Sequence, residues 1–253
     1  MSDFTDNLDI EAHDIWVAFA LLTRMPVPVD HDRAAERGAK AAWAYPIVGM
    51  ALGAIAALIA GAAANIGATS DISAVIALAI IAILTGGMHE DGLADTADGM
   101  GVSGKDRKLA VMRDSHIGAF GVIALILILI GRWSGTEAVN SALLALIAVG
   151  ATSRAAMVLQ MYLLPNATET GLSASTGRPD AVSAIIAVAL AAIACLAFIG
   201  LPGTIMVAVS LAAILPVTAY AKRALDGQTG DILGATQQFA EFAALAAAAA
   251  IIA

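Results

Sequence analysis

Two long apolar runs with a charged stretch clamped between them exclude most folds for this chain. Residues 72–84 and 117–130 are almost free of polar atoms. The stretch between them, residues 86–120 (GGMHEDGLADTADGMGVSGKDRKLAVMRDSHIGAF), carries six of the chain's 21 acidic residues. About 20 consecutive apolar residues are enough to cross a bilayer, and similar runs recur to the end of the sequence. A charged stretch held between two of them is expected at a membrane surface. Composition agrees: 60% of the residues are hydrophobic, 13% are charged and the mean hydropathy is +0.85. Soluble domains are about half apolar and a quarter charged. The apolar residues are mainly Ala, Ile, Leu and Val, which suits helices whose backbones approach closely.

The apolar runs predict an all-α, polytopic membrane bundle of about seven spans, because an open sheet edge cannot face lipid. The spans are expected at 41–66, 72–88, 117–133, 138–164, 181–200, 204–221 and 235–253. Residues 14–25 are too short to cross and end in Pro26-Val27-Pro28, which stops a helix; they read as an interfacial or re-entrant helix. Gly49 and Gly53 have the spacing of helix-pairing faces, but in a segment this rich in Ala and Gly chance explains it equally well. No soluble domain is left over, so residues 1–253 are expected to form one membrane-embedded domain. The acidic N-terminus lacks the basic region of a signal peptide. It is expected to stay as a tail over 1–13. Cys195, the single cysteine, lies in an apolar run and reads as a small buried side chain.

Lysine and arginine fall in alternate loops. Loop 29–40 holds Arg33, Arg37 and Lys40; loop 89–116 holds Lys105, Arg107, Lys108 and Arg113; Arg178 and the pair Lys222 and Arg223 mark two later loops. On the other side stands only Arg132, read as a helix-end residue that snorkels. The positive-inside rule then puts the charged loops and the N-terminus in the cytoplasm and the C-terminus outside. With the carboxylates confined to a few loops, the net charge of -8 says less than their positions do.

Asp91, Asp95 and Asp98 stand at i, i+4 and i+7, which on a helix puts three carboxylates on one face. Such a face needs a cation. Hard oxygen ligands suit Mg²⁺, which keeps waters and takes substrate phosphates as further ligands. A solvated acidic loop is the plainer explanation, but the helical spacing directly after a span favours the metal. His89 and Glu90 flank the cluster, and Gly86, Gly87, Gly92 and Gly99 allow close approach. Arg113, Asp114 and Ser115 follow, with cations suited to phosphoryl transfer; Lys105 and Lys108 read better as topology markers. Near the end, Gly227, Gly230 and Gly234 surround Asp231. Glu241 lies inside the terminal span, where a carboxylate is costly and a functional candidate. Pairing with Arg154, deep in another span, is the alternative, and both can hold.

Four ordered blocks resemble the cobalamin synthase (adenosylcobinamide-GDP ribazoletransferase) family. Gly86-Gly87-Met88-His89-Glu90-Asp91-Gly92-Leu93-Ala94-Asp95-Thr96-Ala97-Asp98-Gly99 is similar to its central block. LTRMPVP at 22–28, MRDSHIGAFG at 112–121 and GQTGDILGA at 227–235 match the others. One departure stands in loop 165–180, where Thr168 occupies the place of an expected Arg. Any phosphate contact there is lost or passes to Arg178. The resemblance implies a Mg²⁺-dependent transfer at the cytoplasmic face of a bacterial inner membrane. The adenosylcobinamide phosphate of adenosylcobinamide-GDP would pass to α-ribazole or its 5′-phosphate, releasing GMP. Asp91, Asp95 and Asp98 would bind the metal. Glu90, Asp98 or Asp231 would take the acceptor's proton. His89, Arg24, Arg113, Asp114, Ser115 and Thr229, with Arg154 and Glu241, become candidates for substrate binding.

Rival readings fare less well. A CDP-alcohol phosphotransferase needs Arg where Asp95 follows Ala94, and a UbiA-like prenyltransferase needs a second Asp-rich repeat where Asp231 stands alone. An ion-coupled transporter would use Glu241 and Arg154 but should show internal repeats. A purely structural membrane partner leaves the acid cluster unexplained.

Overall fold

The computed structural model describes residues 9–140 and 143–252. The expected acidic tail at 1–13 therefore lies mostly outside the described residues. Among those residues the chain is helical, with no strand and one isolated parallel bridge between Asn166 and Gln228. Among the described residues six helices are long and apolar enough to cross a membrane, seven if one bent pair counts as a span. The chain folds as a polytopic helical bundle.

The N-terminal part is a short belt: α1 (His13–Leu22), α2 (His31–Arg37) and a 3-10 segment (Gly38–Ala44). Asp30 starts α2 by accepting from the backbone N–H groups of Asp32 and Arg33, the usual work of an N-cap aspartate. Asp14 is fully buried and bonds Arg37 Nε at 2.7 Å, while Trp43 Nε1 donates to it at 2.8 Å. Trp43 has no distinctive signal in the sequence; here it helps pin α1 to the entrance of α3 (Tyr45–Asn65).

The centre of the bundle is α8 (Ala145–Leu163), buried along almost its whole length and packed against α3, α10 (Ala181–Phe198) and α13 (Gly230–Ile252). Small residues set the spacing. A Cβ on Gly49 would overlap the carbonyl of Gly150, and one on Gly53 the carbonyl of Leu146. The glycine pair of α3 therefore serves a crossing inside this chain. The outward faces carry exposed Leu58, Ile83, Leu127, Ile130, Ile185 and Ile193, as lipid-facing surfaces should.

Three of the expected spans differ in the structure. The run 72–88 becomes α4 (Ser70–Thr85), and the chain then turns by 87° into α5 (Met88–Met100). Gly86 and Gly87, at φ 67° and 70°, make that turn, since two successive left-handed residues need glycine. The charged stretch thus runs back as a helix, followed by α6 (Lys105–Met112) and α7 (Ala119–Ala138). The sixth span is broken at Ile214 into α11 (Gly203–Ala213) and α12 (Leu215–Ala224). The last helix begins at Gly230 rather than 235, which brings Asp231 into its first turn. A five-residue helix, α9 (Leu172–Thr176), lies in the loop before α10.

Candidate active site

Helix α5 lies against α13, and glycine makes the contact possible. A Cβ on Gly92 would come within 2.9 Å of Asp231 Cα, and one on Gly234 within 3.3 Å of His89 Cα. The first turns of α5 and α13 therefore meet. Asp91, Asp98 and Asp231 all lie near enough to Asp95 to repel its carboxylate. The acid that joins Asp91 and Asp95 from elsewhere in the chain is Asp231, about 140 residues away in sequence, a separation that the spacing rule cannot bridge.

Asp98 is turned to another task. Its two carboxylate oxygens accept from the backbone N–H of Gly118 at 2.6 Å and of Gly121 at 2.8 Å. It caps the start of α7, whose first N–H groups have no partner inside their own helix. The i, i+4, i+7 face is real, and each oxygen of its third member also accepts one backbone N–H. Lys108 closes the other end of α5 by donating to the carbonyls of Gly99 at 3.0 Å and Val102 at 2.6 Å, and Lys105 pairs with Asp226 at 3.1 Å.

Glu90 also points away from the cavity side. Arg132, expected to snorkel at a helix end, is 1% exposed and bonds Glu90 at 2.8 Å and Gln238 at 2.7 Å. It also bonds Glu241, which accepts from Arg154 at 2.8 Å on its other oxygen. A residue that costs several kcal/mol to bury unpaired is thus held between two acids. Glu241 and Arg154 are committed to this buried network, as the pairing alternative had it, and neither lines the cavities below. The sequence signals for the network were Arg132, Gln237 and Gln238 within apolar helices, where polar side chains need partners.

Two adjoining cavities open beside the acids. The larger, of about 840 Å³, is lined by Arg24, Asp91, Asp95, Arg113, Asp114 and Ser115 among others. The smaller, of about 300 Å³, has Leu21, Leu22, Tyr45, Met157, Met161 and Leu233 in its walls, with His89, Thr229 and Asp231. Asp91 and Arg113 border both. Arg24 packs over Gly86 at the α4–α5 turn, with its backbone N–H on the Leu84 carbonyl at 2.7 Å. Thr229 Oγ1 lies 3.3 Å from Asp231. Asp114 bonds His116 Nδ1 at 2.6 Å, and its carboxylate pushes the His116 imidazole above its ordinary pKa.

A rim of loops covers the smaller cavity. Gln228 donates its N–H to the Pro165 carbonyl at 2.8 Å and accepts from Ala167 N–H at 2.8 Å, which joins loop 165–171 to the start of α13. Ser173 donates to Gln228 at 2.7 Å. Thr168, in place of the expected Arg, lines this cavity. Arg178 does not substitute for it: its guanidinium is tied to the Tyr162 carbonyl, 2.8 Å from Nε, and it borders neither cavity. Gln228 is fully buried and carries no signal in the sequence beyond its place between two glycines.

Among the described residues no three His, Cys, Asp or Glu side chains converge as a closed metal cage. Two carboxylates beside a cavity edged with arginines are an open donor set. A family model of cobalamin-5-phosphate synthase matches residues 14–249. This chain belongs to the cobalamin-5-phosphate synthase family. Among its relatives, the adenosylcobinamide-GDP ribazoletransferase of Bradyrhizobium diazoefficiens is 41% identical over 243 residues, covering 94% of this chain and 93% of the relative. Those of Sinorhizobium medicae (41%, covering 94% and 97%) and Mesorhizobium japonicum (40%, covering 92% and 91%) are similar to the same extent. No solved structure matches the chain.

Proposed function

We propose that this chain is an adenosylcobinamide-GDP ribazoletransferase, acting late in cobalamin biosynthesis from within a bacterial inner membrane. The acceptor is α-ribazole or its 5′-phosphate. The acceptor's ribose hydroxyl attacks the donor phosphorus linked to cobinamide, the P–O bond to GMP breaks, and GMP leaves. The observation that carries this reading is the contact between the first turns of α5 and α13, which brings Asp231 beside Asp91, with Asp95 a turn further along α5, next to arginine-edged cavities. It is supported by a family match that runs almost from end to end.

Asp91 and Asp95 would hold Mg²⁺. Their donor chemistry fits: hard oxygens, an open arrangement, and room for phosphate oxygens, since Mg²⁺ commonly binds through one or two carboxylates plus substrate phosphates. Bound there, the metal would neutralise diphosphate charge. Arg24 and Arg113 edge the same cavity and would bind the donor's phosphate oxygens and steady the leaving phosphate. Asp231 borders the cavity that lacks Asp95 and would take the proton of the attacking hydroxyl. Asp98 and Glu90 act at one remove, by fixing α5 against α7. The charge bias of the loops supports a cytoplasmic position for this end of the bundle, on the side where nucleotide substrates are found.

The test is turnover by the purified protein in lipid, given adenosylcobinamide-GDP, α-ribazole and Mg²⁺ and read as GMP release with a new corrinoid. No product from the natural chain would sink the assignment. Asp95→Asn should abolish turnover and weaken the Mg²⁺ dependence while the protein stays inserted; near-normal turnover removes Asp95 from the site.

A further inference from the structure

We propose that Tyr45 is a substrate-contacting residue: its hydroxyl, on the inner wall of the smaller cavity, hydrogen-bonds a polar atom of the acceptor nucleoside. The inference rests on the ribazoletransferase reading and adds one named contact to it. Tyr45 opens α3, lines this cavity and is 2% exposed. Its hydroxyl takes part in no hydrogen bond among the described residues, yet it is not sealed in; Tyr220 is the tyrosine whose unpaired hydroxyl is wholly covered. A side chain buried to this degree keeps what surface it has, hydroxyl included, toward the cavity that it lines. Buried tyrosine hydroxyls usually find a partner, and one left unpaired is costly. A ligand in the cavity supplies the partner that the protein does not.

The other hydroxyls of the cavity are committed within the protein. Ser173 donates to Gln228 at 2.7 Å, and Thr229 faces Asp231 at 3.3 Å. Thr168 and Thr176 donate to the carbonyls of Thr170 and Leu172. On the wall built by α1, α3 and α8, where Leu22, Met157 and Met161 pack with it, Tyr45 is the one side chain that can donate a hydrogen bond. Size and position assign the ligand. At about 300 Å³ the cavity stands at the low end of small-molecule pockets, which suits a nucleoside and excludes a corrin macrocycle. Asp95 and Arg24, given above to the metal and the diphosphate, border the larger cavity, whereas Asp231, given to the acceptor's proton, borders this one. A nucleoside with its reacting hydroxyl toward Asp231 then offers a second polar atom to Tyr45.

The experiment measures KM separately for acceptor and donor in lipid, with the purified natural chain, Tyr45→Phe and Tyr220→Phe. Tyr45→Phe removes the hydroxyl and keeps the ring. Its unfolding midpoint without substrates should not fall, because the hydroxyl has no partner in the protein to lose. The acceptor KM should rise about three- to tenfold, as loss of one hydrogen bond to substrate does, and the donor KM should stay within about twofold. Tyr220→Phe removes a hydroxyl sealed from the cavity and should move neither constant. Acceptor analogues that each lack one polar atom identify the partner: with one of them, Tyr45→Phe and the natural chain should have equal KM. An acceptor KM indifferent to Tyr45→Phe overturns the contact while product formation leaves the transferase reading standing. A rise in donor KM alone overturns it by giving the hydroxyl to the other substrate. An equal penalty in Tyr220→Phe, a lowered midpoint in Tyr45→Phe, or a penalty that persists with every analogue overturns it by making the hydroxyl structural. No product from the natural chain overturns both readings.

Discussion

A carboxylate that edges a cavity and a carboxylate that caps a helix can share one helix face, and Asp95 and Asp98 do. What separates them is the partner that tertiary packing offers: open cavity for Asp95, two backbone N–H groups for Asp98. Asp98→Asn keeps the shape but turns an acceptor-only group into one that also presents N–H to N–H. It should lower stability by about 1.5–3 kcal/mol, the range for hydrogen bonds to a charged group. Thermal unfolding in detergent reads this, and the Mg²⁺ concentration for half-maximal turnover should stay close to that of the natural chain. A large change in that concentration with unchanged stability would restore Asp98 to the metal. Beside the larger cavity, Asp114 holds the His116 imidazole above its ordinary pKa. A raised folded-state pKa favours the folded chain at pH below the unfolded value, and the contribution fades as pH rises through the folded one. NMR titration should find His116 above the ordinary histidine value, and Asp114→Asn should return it there; an identical midpoint in both proteins would show that the pair does not form.

At the scale of elements, the site depends on α5 returning after an 87° turn to lie against α13. Gly92 and Gly234 let the two first turns touch. Gly92→Ala places a methyl 2.9 Å from both Asp231 Cα and its carbonyl oxygen, and backbone on both sides leaves little to yield. Asp231 must then move away from Asp91. Misplacement by an ångström costs on the order of 10²-fold in rate, so kcat should fall by about that factor while expression and insertion persist. Unchanged kcat would mean that Asp231 takes no part in the reaction. The spacing of Asp91 and Asp95 was readable as one face because a helix has a fixed period. The turn that aims this face was only half readable. Gly86-Gly87 is plain in the sequence, but glycine permits a left-handed residue without requiring one.

At the scale of the whole molecule, a buried network ties α5, α7, α8 and α13 together through Glu90, Arg132, Arg154, Gln237, Gln238 and Glu241. Removing one member leaves opposite charges stranded in an apolar interior. Arg132→Met should cost about 3–5 kcal/mol, measured as the shift in denaturant-induced unfolding in mixed micelles. A change under about 1 kcal/mol, the size expected of an exposed pair, would show that solvent reaches the network. The network also turns Glu90 from the cavities: its exposed neighbour Asp91 borders them, while Glu90 faces the guanidinium of Arg132.

The sequence by itself determined the class of this protein. Long apolar runs demand helices in lipid, because backbone polar groups there must pair within their own segment. It also marked Asp91, Asp95 and Asp231, and its four blocks pointed to the family that the chain-length match then established. Only the tertiary structure decided which acids lie together. Spacing along one helix could group Asp98 with Asp91 and Asp95, but it could not see that both oxygens of Asp98 bond the start of α7. Nor could it see that close glycine packing carries Asp231 in from α13. From the sequence Glu241 could be paired with Arg154, but Arg132 read as a helix-end residue apart from both. They became one network because charges inside a membrane bundle are stable only when packing brings opposite partners together.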